Sequence, residues 1–120
     1  MQMFFLDIDQ RNQQLEEVPV RFPEILATTS VRNNIELNSQ KANKGAALEF
    51  LANYLGVPVS QTMGFGDGLN DRHMLQAAGC GVAMANGAES IRAIADFVTR
   101  SCDEDGVAYA IEKFCFPEEI

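Results

Sequence analysis

Helical and strand patterns alternate at short intervals after about residue 40, and this alternation limits the folds open to the chain. Apolar residues recur at helical spacing up to Leu55, and Gly56 then marks a helix end. The predicted elements are, in chain order, helix 43–55, strand 62–65, helix 70–78, strand 81–84, helix 89–95, strand 97–98 and helix 106–114. Alternation of this kind is typical of a parallel α/β sheet. We therefore predict half of a doubly wound parallel sheet with flanking helices for residues 41–120.

The chain before residue 40 has a different pattern, in which strand signals dominate. The predicted elements are strand 3–6, helix 10–17, strand 25–29 and strand 34–37. We expect Pro19 to stop the helix and residues 30–33 to connect the last two strands as a hairpin. Residues 1–40 therefore form a separate short α+β unit in this prediction.

Charge argues against a nucleic-acid partner. The 120 residues include 9 Lys plus Arg and 17 Asp plus Glu, which gives a net charge of −8. A phosphate backbone would be repelled over most of such a surface. A small anionic substrate is compatible with this charge, because one metal ion and one lysine can reverse the sign of a single pocket.

Cysteine content and apolar runs indicate the compartment. The three cysteines, Cys80, Cys102 and Cys115, are an odd number without C-x-x-C spacing, so neither a disulfide framework nor a zinc site is expected. The longest apolar runs are far shorter than the roughly twenty residues that span a bilayer. We therefore predict a cytoplasmic protein without a membrane partner or an export signal.

The glycine-rich acidic loop 64–71 is the strongest candidate for a functional site. It follows a predicted strand, and parallel sheets bind ligands at the carboxyl ends of their strands. Its three glycines allow the backbone to approach a ligand closely. Asp67 and Asp71 offer two carboxylates, and Mg²⁺ prefers one or two carboxylates together with water and phosphate oxygens. The alternative is a turn in which Asp71 only caps a helix.

Lys44 is the candidate cation of the same site. It opens the helix after Asn43 and lies 23 residues before Asp67, since 67 − 44 = 23. That separation accommodates one helix, a connection and one strand, which returns the chain to the same edge of a parallel sheet. The alternative is a solvated surface lysine.

Three segments together resemble the haloacid dehalogenase superfamily, specifically the Cof-like sugar-phosphate phosphatases. They are Asn43 to Leu48, with sequence NKGAAL, Gly64 to Leu75, with sequence GFGDGLNDRHML, and Gly81 to Gly87, with sequence GVAMANG. The resemblance covers about residues 30–114, and the order of the three motifs makes it specific. It implies a Rossmann-like core, Mg²⁺ as the cofactor and a small phosphorylated metabolite as the substrate.

The resemblance also implies roles for four residues. Lys44 resembles the lysine that neutralises the phosphoryl group and the nucleophile, and Asp67 resembles the carboxylate that ligates Mg²⁺. Asn70 would contact a phosphate oxygen, and Asp71 would orient Lys44 or a metal-bound water. Lys44 and Asn70 are thus substrate-binding candidates, Asp67 and Asp71 are metal candidates, and all four are catalytic candidates.

The family's nucleophile is the first aspartate of a D-x-D-G-T motif, which the chain matches only in part. Asp7 and Asp9 follow an apolar run, but Gln10 and Arg11 replace the Gly-Thr pair. Residues 1–40 therefore resemble the end of the family's cap domain, and the nucleophile is expected upstream of Met1. The chain is then a C-terminal portion that is inactive alone. A compact phosphatase with Asp7 as nucleophile and Asp9 as acid and base remains the alternative.

Two other classes of function stay open. One is a non-catalytic module that binds a metal ion or an anion, or that associates into a homo-oligomer through an exposed sheet edge. P-type cation pumps have a similar G-D-G-x-N-D loop, but their membrane segments have no counterpart here. The resemblance implies that substrate selectivity is set mainly by the cap, of which residues 1–40 are at most a remnant.

Overall fold

In the computed structural model, which describes residues 1–119, the chain divides into two units at the bond between Asn43 and Lys44. The first unit contains one helix and three strands: β1 (Gln2–Phe4), α1 (Ile8–Arg21), β2 (Ile25–Thr28) and β3 (Asn34–Ser39). Its sheet is antiparallel, with the order β1-β3-β2. The predicted hairpin between the last two strands is therefore confirmed.

Asn34 holds the hairpin connection in place. Its side chain is buried, and Oδ1 accepts hydrogen bonds from the backbone N–H groups of Ser30 and Val31, each at 3.1 Å. The Asn34 amide also donates to Oγ of Ser30 at 2.8 Å. These bonds satisfy a buried amide and loop N–H groups at once, so they fix the turn.

The predicted end of helix α1 before Pro19 was wrong, since the helix continues to Arg21. A proline removes one N–H donor, but its fixed φ angle is helical. The backbone N–H of Phe22 donates to the carbonyl of Val18 at 2.9 Å, so the hydrogen-bond ladder is present again beyond the proline. The helix therefore loses one bond near its end without terminating there.

The second unit is the predicted α/β half-sheet. Its helices and strands are α2 (Lys44–Leu55), β4 (Met63–Gly66), α3 (Arg72–Ala77), β5 (Cys80–Ala83), α4 (Glu89–Ile94), β6 (Phe97–Val98) and α5 (Gly106–Cys115). Short 3₁₀ turns occupy Val59–Gln61, Leu69–Asp71, Cys102–Glu104 and Pro117–Glu119. The strands are parallel and have the order β4-β5-β6. The mixed α/β class with a parallel sheet and flanking helices is confirmed.

The helix predicted for residues 70–78 is only partly α-helical. The segment 70–78 begins as the 3₁₀ turn Leu69–Asp71 and becomes α-helical only from Arg72 to Ala77. The tighter turn suits the acidic loop, because the Asp71 carboxylate accepts bonds from the backbone N–H groups at the start of the turn. The loop and the helix are thus one continuous structure.

The core of the second unit lies between the sheet and helices α3 and α4. Leu75, Ala83 and Ile91 are fully buried and pack together. Gly81 of β5 lies so close to the backbone of Leu75 that a Cβ atom there would overlap the Leu75 carbonyl. This close contact fixes α3 directly on the sheet and thereby the position of the loop that precedes it.

None of the helices within residues 1–119 is both long enough and apolar enough to cross a membrane.

Candidate active site

Lys44 is the first residue of α2, and its position depends on the glycine that follows it. A Cβ atom on Gly45 would lie 2.5 Å from the carbonyl oxygen of His73 in α3. Only a residue without a side chain permits this close approach. The start of α2 therefore packs against α3, and the Lys44 ammonium reaches the turn that precedes α3.

Asp71 is the partner of Lys44. The Lys44 Nζ atom donates to Oδ1 of Asp71 at 2.6 Å. The second carboxylate oxygen, Oδ2, accepts from the backbone N–H of Asp67 at 2.9 Å and from that of Gly68 at 3.1 Å. Both oxygens of Asp71 are thus engaged, and the side chain is 6% exposed whereas that of Lys44 is 51% exposed. Asp71 therefore connects α2 to the loop.

The ionisation of Asp71 follows from these contacts. Burial alone raises the pKa of its carboxyl group, but the hydrogen bonds from Lys44, Asp67 and Gly68 favour the charged form and lower the pKa below its ordinary value. A buried carboxylate that is charged and fully hydrogen-bonded is a rigid element. It can hold a lysine in place without changing protonation near neutral pH.

Asp67 differs from Asp71 in the exposure and in the hydrogen bonding of its side chain. It comes directly after β4, at the carboxyl end of the strand, and it is exposed. Its backbone is fixed, because its N–H donates to Asp71 and its carbonyl accepts from the N–H of Ala88 at 2.8 Å. Among the described residues, no side chain or backbone group forms a hydrogen bond with the Asp67 carboxylate. A fixed backbone with a free carboxylate is a suitable arrangement for binding an external cation.

Asn70 lies within the 3₁₀ turn between these two aspartates and is partly buried. It lies three residues after Asp67 and so belongs to the same short segment. The structure thus brings together all four predicted site residues: Lys44, Asp67, Asn70 and Asp71.

Asp7 and Asp9 have a different setting. Asp7 is the N-cap of α1, and its carboxylate accepts from the backbone N–H groups of Asp9 at 2.9 Å and Gln10 at 3.4 Å. Asp9 lies in the first turn of that helix and is exposed. The strand before them, β1, pairs antiparallel with β3 and does not belong to the parallel sheet.

Three glycines determine the site geometry, a role that their local sequence does not predict. A Cβ atom on Gly66 would overlap the side chain of Asp71, and one on Gly87 would lie 3.0 Å from the backbone of Asp67. Gly45 is the third, through its contact with His73. Their presence within the three motifs was the available signal, but glycine in a loop usually indicates backbone freedom, whereas these positions require the absence of a side chain.

The fold and the site together define a class of protein: an α/β protein with a lysine and an acidic loop at the carboxyl ends of parallel strands. Residues 1–111 match the family of haloacid dehalogenase-like hydrolases. The chain belongs to this family, and the resemblance to Cof-like phosphatases is confirmed.

Individual relatives agree with this assignment. Phosphatase YwpJ of Bacillus subtilis is 48% identical over 89 residues, which are 74% of this chain and 31% of YwpJ. The 5-amino-6-(5-phospho-D-ribitylamino)uracil phosphatase YcsE of the same organism is 43% identical over 105 residues, which are 88% of this chain and 42% of YcsE. The structure of a HAD subclass IIB sugar phosphatase superposes with a TM-score of 0.80 at 31% identity, over 86% of this chain and 40% of that protein. The chain thus spans less than half the length of each of these relatives.

Proposed function

We propose that the chain carries the metal- and phosphate-binding part of a Mg²⁺-dependent phosphomonoester hydrolase. The observation that supports this most directly is the Asp71 carboxylate, which binds Lys44 through one oxygen and the Asp67 backbone through the other. A cation and an exposed carboxylate are thereby held at the carboxyl end of one strand. Phosphoryl transfer requires this kind of fixed positive charge beside a metal ligand.

Among residues 1–119, no three His, Cys, Asp or Glu side chains converge on one point, so a metal ion would take few protein ligands. Mg²⁺ fits such a site, because it keeps several waters and commonly binds one or two carboxylates. Asp67 has the free carboxylate and is the ligand that we assign. Asp71 was also a metal candidate, but its oxygens are occupied, so we assign it the positioning of Lys44 and of the loop. A bound Mg²⁺ would supply charge stabilisation for a phosphoryl group.

Lys44 and Asn70 are the groups that we assign to phosphate binding. The Lys44 ammonium is half exposed although one of its donors is used by Asp71, so further N–H donors face outward. The Asn70 amide is a neutral donor in the turn that follows Asp67. Together they would fix the oxygens of a phosphoryl group relative to the metal.

The reaction of this family also needs a carboxylate nucleophile that forms an aspartyl-phosphate. We propose that this carboxylate comes from polypeptide outside the 120 residues, and that residues 1–40 belong to the cap domain. The N-cap role of Asp7 and the antiparallel pairing of β1 support this view over the compact enzyme that uses Asp7 and Asp9.

The substrate class that we propose is a small phosphorylated metabolite, such as a sugar phosphate. The names of two relatives support it, one as a ribitylaminouracil phosphatase and one as a sugar phosphatase. We also propose a cytoplasmic location, which the three free cysteines support. A module that binds a metal or an anion without catalysis, or that self-associates, is the second candidate.

The test is a hybrid enzyme. The segment of YwpJ that matches this chain is replaced by the corresponding residues of this chain, and hydrolysis of an aryl phosphate is measured with and without Mg²⁺. We expect Mg²⁺-dependent turnover that Asp67→Ala and Lys44→Met each reduce by at least about 100-fold. An inactive but folded hybrid would favour the non-catalytic module.

The chain alone provides the complementary measurement. We expect no turnover by the 120 residues under the same conditions. Turnover that Asp7→Asn abolishes would instead establish the compact enzyme and reject the assignment of residues 1–40 to a cap.

A further inference from the structure

Met63 and Cys80 are paired residues at the beginning of two neighbouring strands, β4 and β5. Residues that are paired in register across parallel strands have their side chains on the same face of the sheet, so the thioether and the thiol are neighbours there. Helix α3 occupies the other face, because a Cβ atom on Gly81, the next residue of β5, would overlap the Leu75 carbonyl of that helix. The two sulfur atoms therefore lie on the face away from α3.

The end of helix α5 lies against this same face, and its last residue is Cys115. The Phe114 ring meets the Phe97 ring of β6 edge-on, with the ring centroids 5.1 Å apart. Phe97 is the paired neighbour of Val82, and Val82 shares a face with Cys80, because alternate residues of a strand point in the same direction. The contact between the two rings thus fixes the end of α5 on the face that carries Cys80.

The side chain of Cys115 contacts Met63 directly. The Sγ atom of Cys115 donates to Sδ of Met63 at 3.8 Å. The pKa of the Cys80 thiol is raised above its ordinary value, first by burial and then by the charges of Asp96 and Cys115, so the two thiols are within electrostatic range of each other. Three sulfur side chains from β4, β5 and α5 therefore converge. Two thiolates at this place repel each other unless a cation lies between them.

Ligands of this kind select a soft metal ion. A zinc–thiolate bond is about 2.3 Å long, and with bonds of similar length the sulfur atoms of a trigonal ion are about 4.0 Å apart. The 3.8 Å between Cys115 and Met63 matches this spacing. Within residues 1–119 no three His, Cys, Asp or Glu side chains form a metal site, so the four ligands of a structural Zn²⁺ site are not available. Cu(I) fits the cluster, since it accepts three ligands and binds thioethers as well as thiolates.

The sulfur cluster, Met63, Cys80 and Cys115, is separate from the candidate active site. Met63 and Cys80 are the first residues of their strands, whereas Asp67 follows the carboxyl end of β4. Mg²⁺ is a hard cation that prefers oxygen ligands, and Cu(I) is a soft cation that prefers sulfur. The two ions would therefore bind at opposite ends of the parallel sheet without competing.

We infer that Met63, Cys80 and Cys115 form a binding site for one soft monovalent metal ion, Cu(I), at the amino end of the parallel sheet. Each thiol releases its proton to solvent when its sulfur atom binds the ion, and the oxidation state of the metal does not change. The three ligands converge only in the folded chain, so the bound ion stabilises the second unit. This inference is independent of the proposed function.

The experiment is an anaerobic titration of the fully reduced 120-residue chain with Cu(I), in competition with a chromophoric Cu(I) chelator. We expect one equivalent of Cu(I) to bind and the midpoint of thermal unfolding to rise. X-ray absorption is expected to show three sulfur neighbours at about 2.3 Å from the metal. Zn²⁺ is expected to bind at least about 100-fold more weakly than Cu(I), because a thioether is a poor ligand for it.

Three variants and a control define the ligands. Cys80→Ser and Cys115→Ser are each expected to weaken Cu(I) binding by at least about 100-fold, and Met63→Leu by about tenfold. Cys102→Ser is the matched control, because Cys102 is a free, exposed cysteine whose backbone N–H donates to Asn86, beyond the carboxyl end of β5. It is expected to change the affinity less than about twofold. Cys115 is exposed, so Cys115→Ser decides the question if Cys80→Ser does not fold.

The outcomes separate this inference from the proposed function. Equal losses with Cys102→Ser and Cys115→Ser, tighter binding of Zn²⁺ than of Cu(I), or a Cu(I)-bridged dimer in light scattering would overturn the site. An unchanged affinity in Met63→Leu would also overturn it, since the thioether is one of the three ligands. Cu(I) binding with the expected variant pattern beside an inactive hybrid enzyme would keep the site and reject the function. An active hybrid whose chain binds no Cu(I) would do the reverse.

Discussion

The Nζ atom of Lys44 lies 2.6 Å from Oδ1 of Asp71, and this pair joins the start of α2 to the turn after β4. The two partners are unequal, because Asp71 is buried and has two further hydrogen bonds from the loop backbone, whereas Lys44 is half exposed. Removal of either partner breaks the pair, but removal of Asp71 also leaves the backbone N–H groups of Asp67 and Gly68 without an acceptor.

Asp71→Ala is expected to destabilise the second unit much more than Lys44→Met. Loss of the carboxylate leaves the N–H groups of Asp67 and Gly68 unpaired, and we expect a cost of about 2–3 kcal/mol in the free energy of unfolding. Lys44→Met removes the partner of Oδ1 but leaves the two backbone hydrogen bonds to Oδ2, and is expected to cost about 1 kcal/mol. Urea unfolding at pH 7 measures both. Equal costs would contradict the connecting role of Asp71, and Asp67→Ala, an exposed control, is expected to stay within about 0.5 kcal/mol.

The stabilising effect of Asp71 is expected to depend on pH. Hydrogen bonds lower the pKa of its carboxyl group in the folded chain below the unfolded value of about 3.9. The ionised group therefore contributes its full stabilisation above the unfolded pKa, and this contribution is lost as the pH falls through the folded pKa. Comparison of the chain with Asp71→Asn by urea unfolding is expected to show a stability gap that narrows between about pH 5 and about pH 2. A gap that stays constant over that interval would contradict the assignment.

Much of this site could be predicted from the sequence, because its chemistry is concentrated in short segments. The carboxylates, the lysine and the strand before the loop all have local signals, and their spacing fits a parallel α/β sheet. The arrangement around Asp71 could not be predicted in the same way. A sequence shows that Asp71 can bind a metal or cap a helix, but only the folded chain shows that both of its oxygens are already occupied.

The structural roles of Gly45 and Pro19 also could not be predicted from the local sequence. The contact between Gly45 and the His73 carbonyl joins residues that are distant in the chain, and no local pattern encodes it. Pro19 locally favours a helix end, but the helix continues to Arg21, and the N–H of Phe22 donates to the carbonyl of Val18. In both cases the deciding interaction is a packing contact or hydrogen bond that residue type alone does not specify.

Gly66→Ala is expected to disrupt the site, whereas Gly64→Ala in the same strand is expected to be tolerated better. The new methyl group at position 66 would overlap the Asp71 side chain, which cannot move without losing its three hydrogen bonds. At position 64 the nearest atom is Cγ of Met74 at 3.1 Å, on a flexible side chain that can shift. We expect a cost of at least about 2 kcal/mol for Gly66→Ala and about 1 kcal/mol or less for Gly64→Ala. Thermal unfolding compares them, and the reverse order would contradict the packing described for Asp71.

Metal binding is expected to depend on Asp67 and much less on Asp71. Mn²⁺ is a paramagnetic substitute for Mg²⁺ at oxygen sites, so it is expected to broaden the amide NMR signals of the loop 64–71 in the isolated chain. Asp67→Asn removes the free carboxylate and is expected to weaken this binding by at least about tenfold. Asp71→Asn retains an oxygen acceptor for the loop and is expected to weaken binding less, because Asp71 acts on the metal only through the loop. Glu112→Gln on α5, an exposed carboxylate far along the chain, serves as the control and is expected to have no effect. Broadening that persists in Asp67→Asn but disappears in Asp71→Asn would contradict these roles. Asp71 would then be the metal ligand, and its contact with Lys44 would have to break when the metal binds.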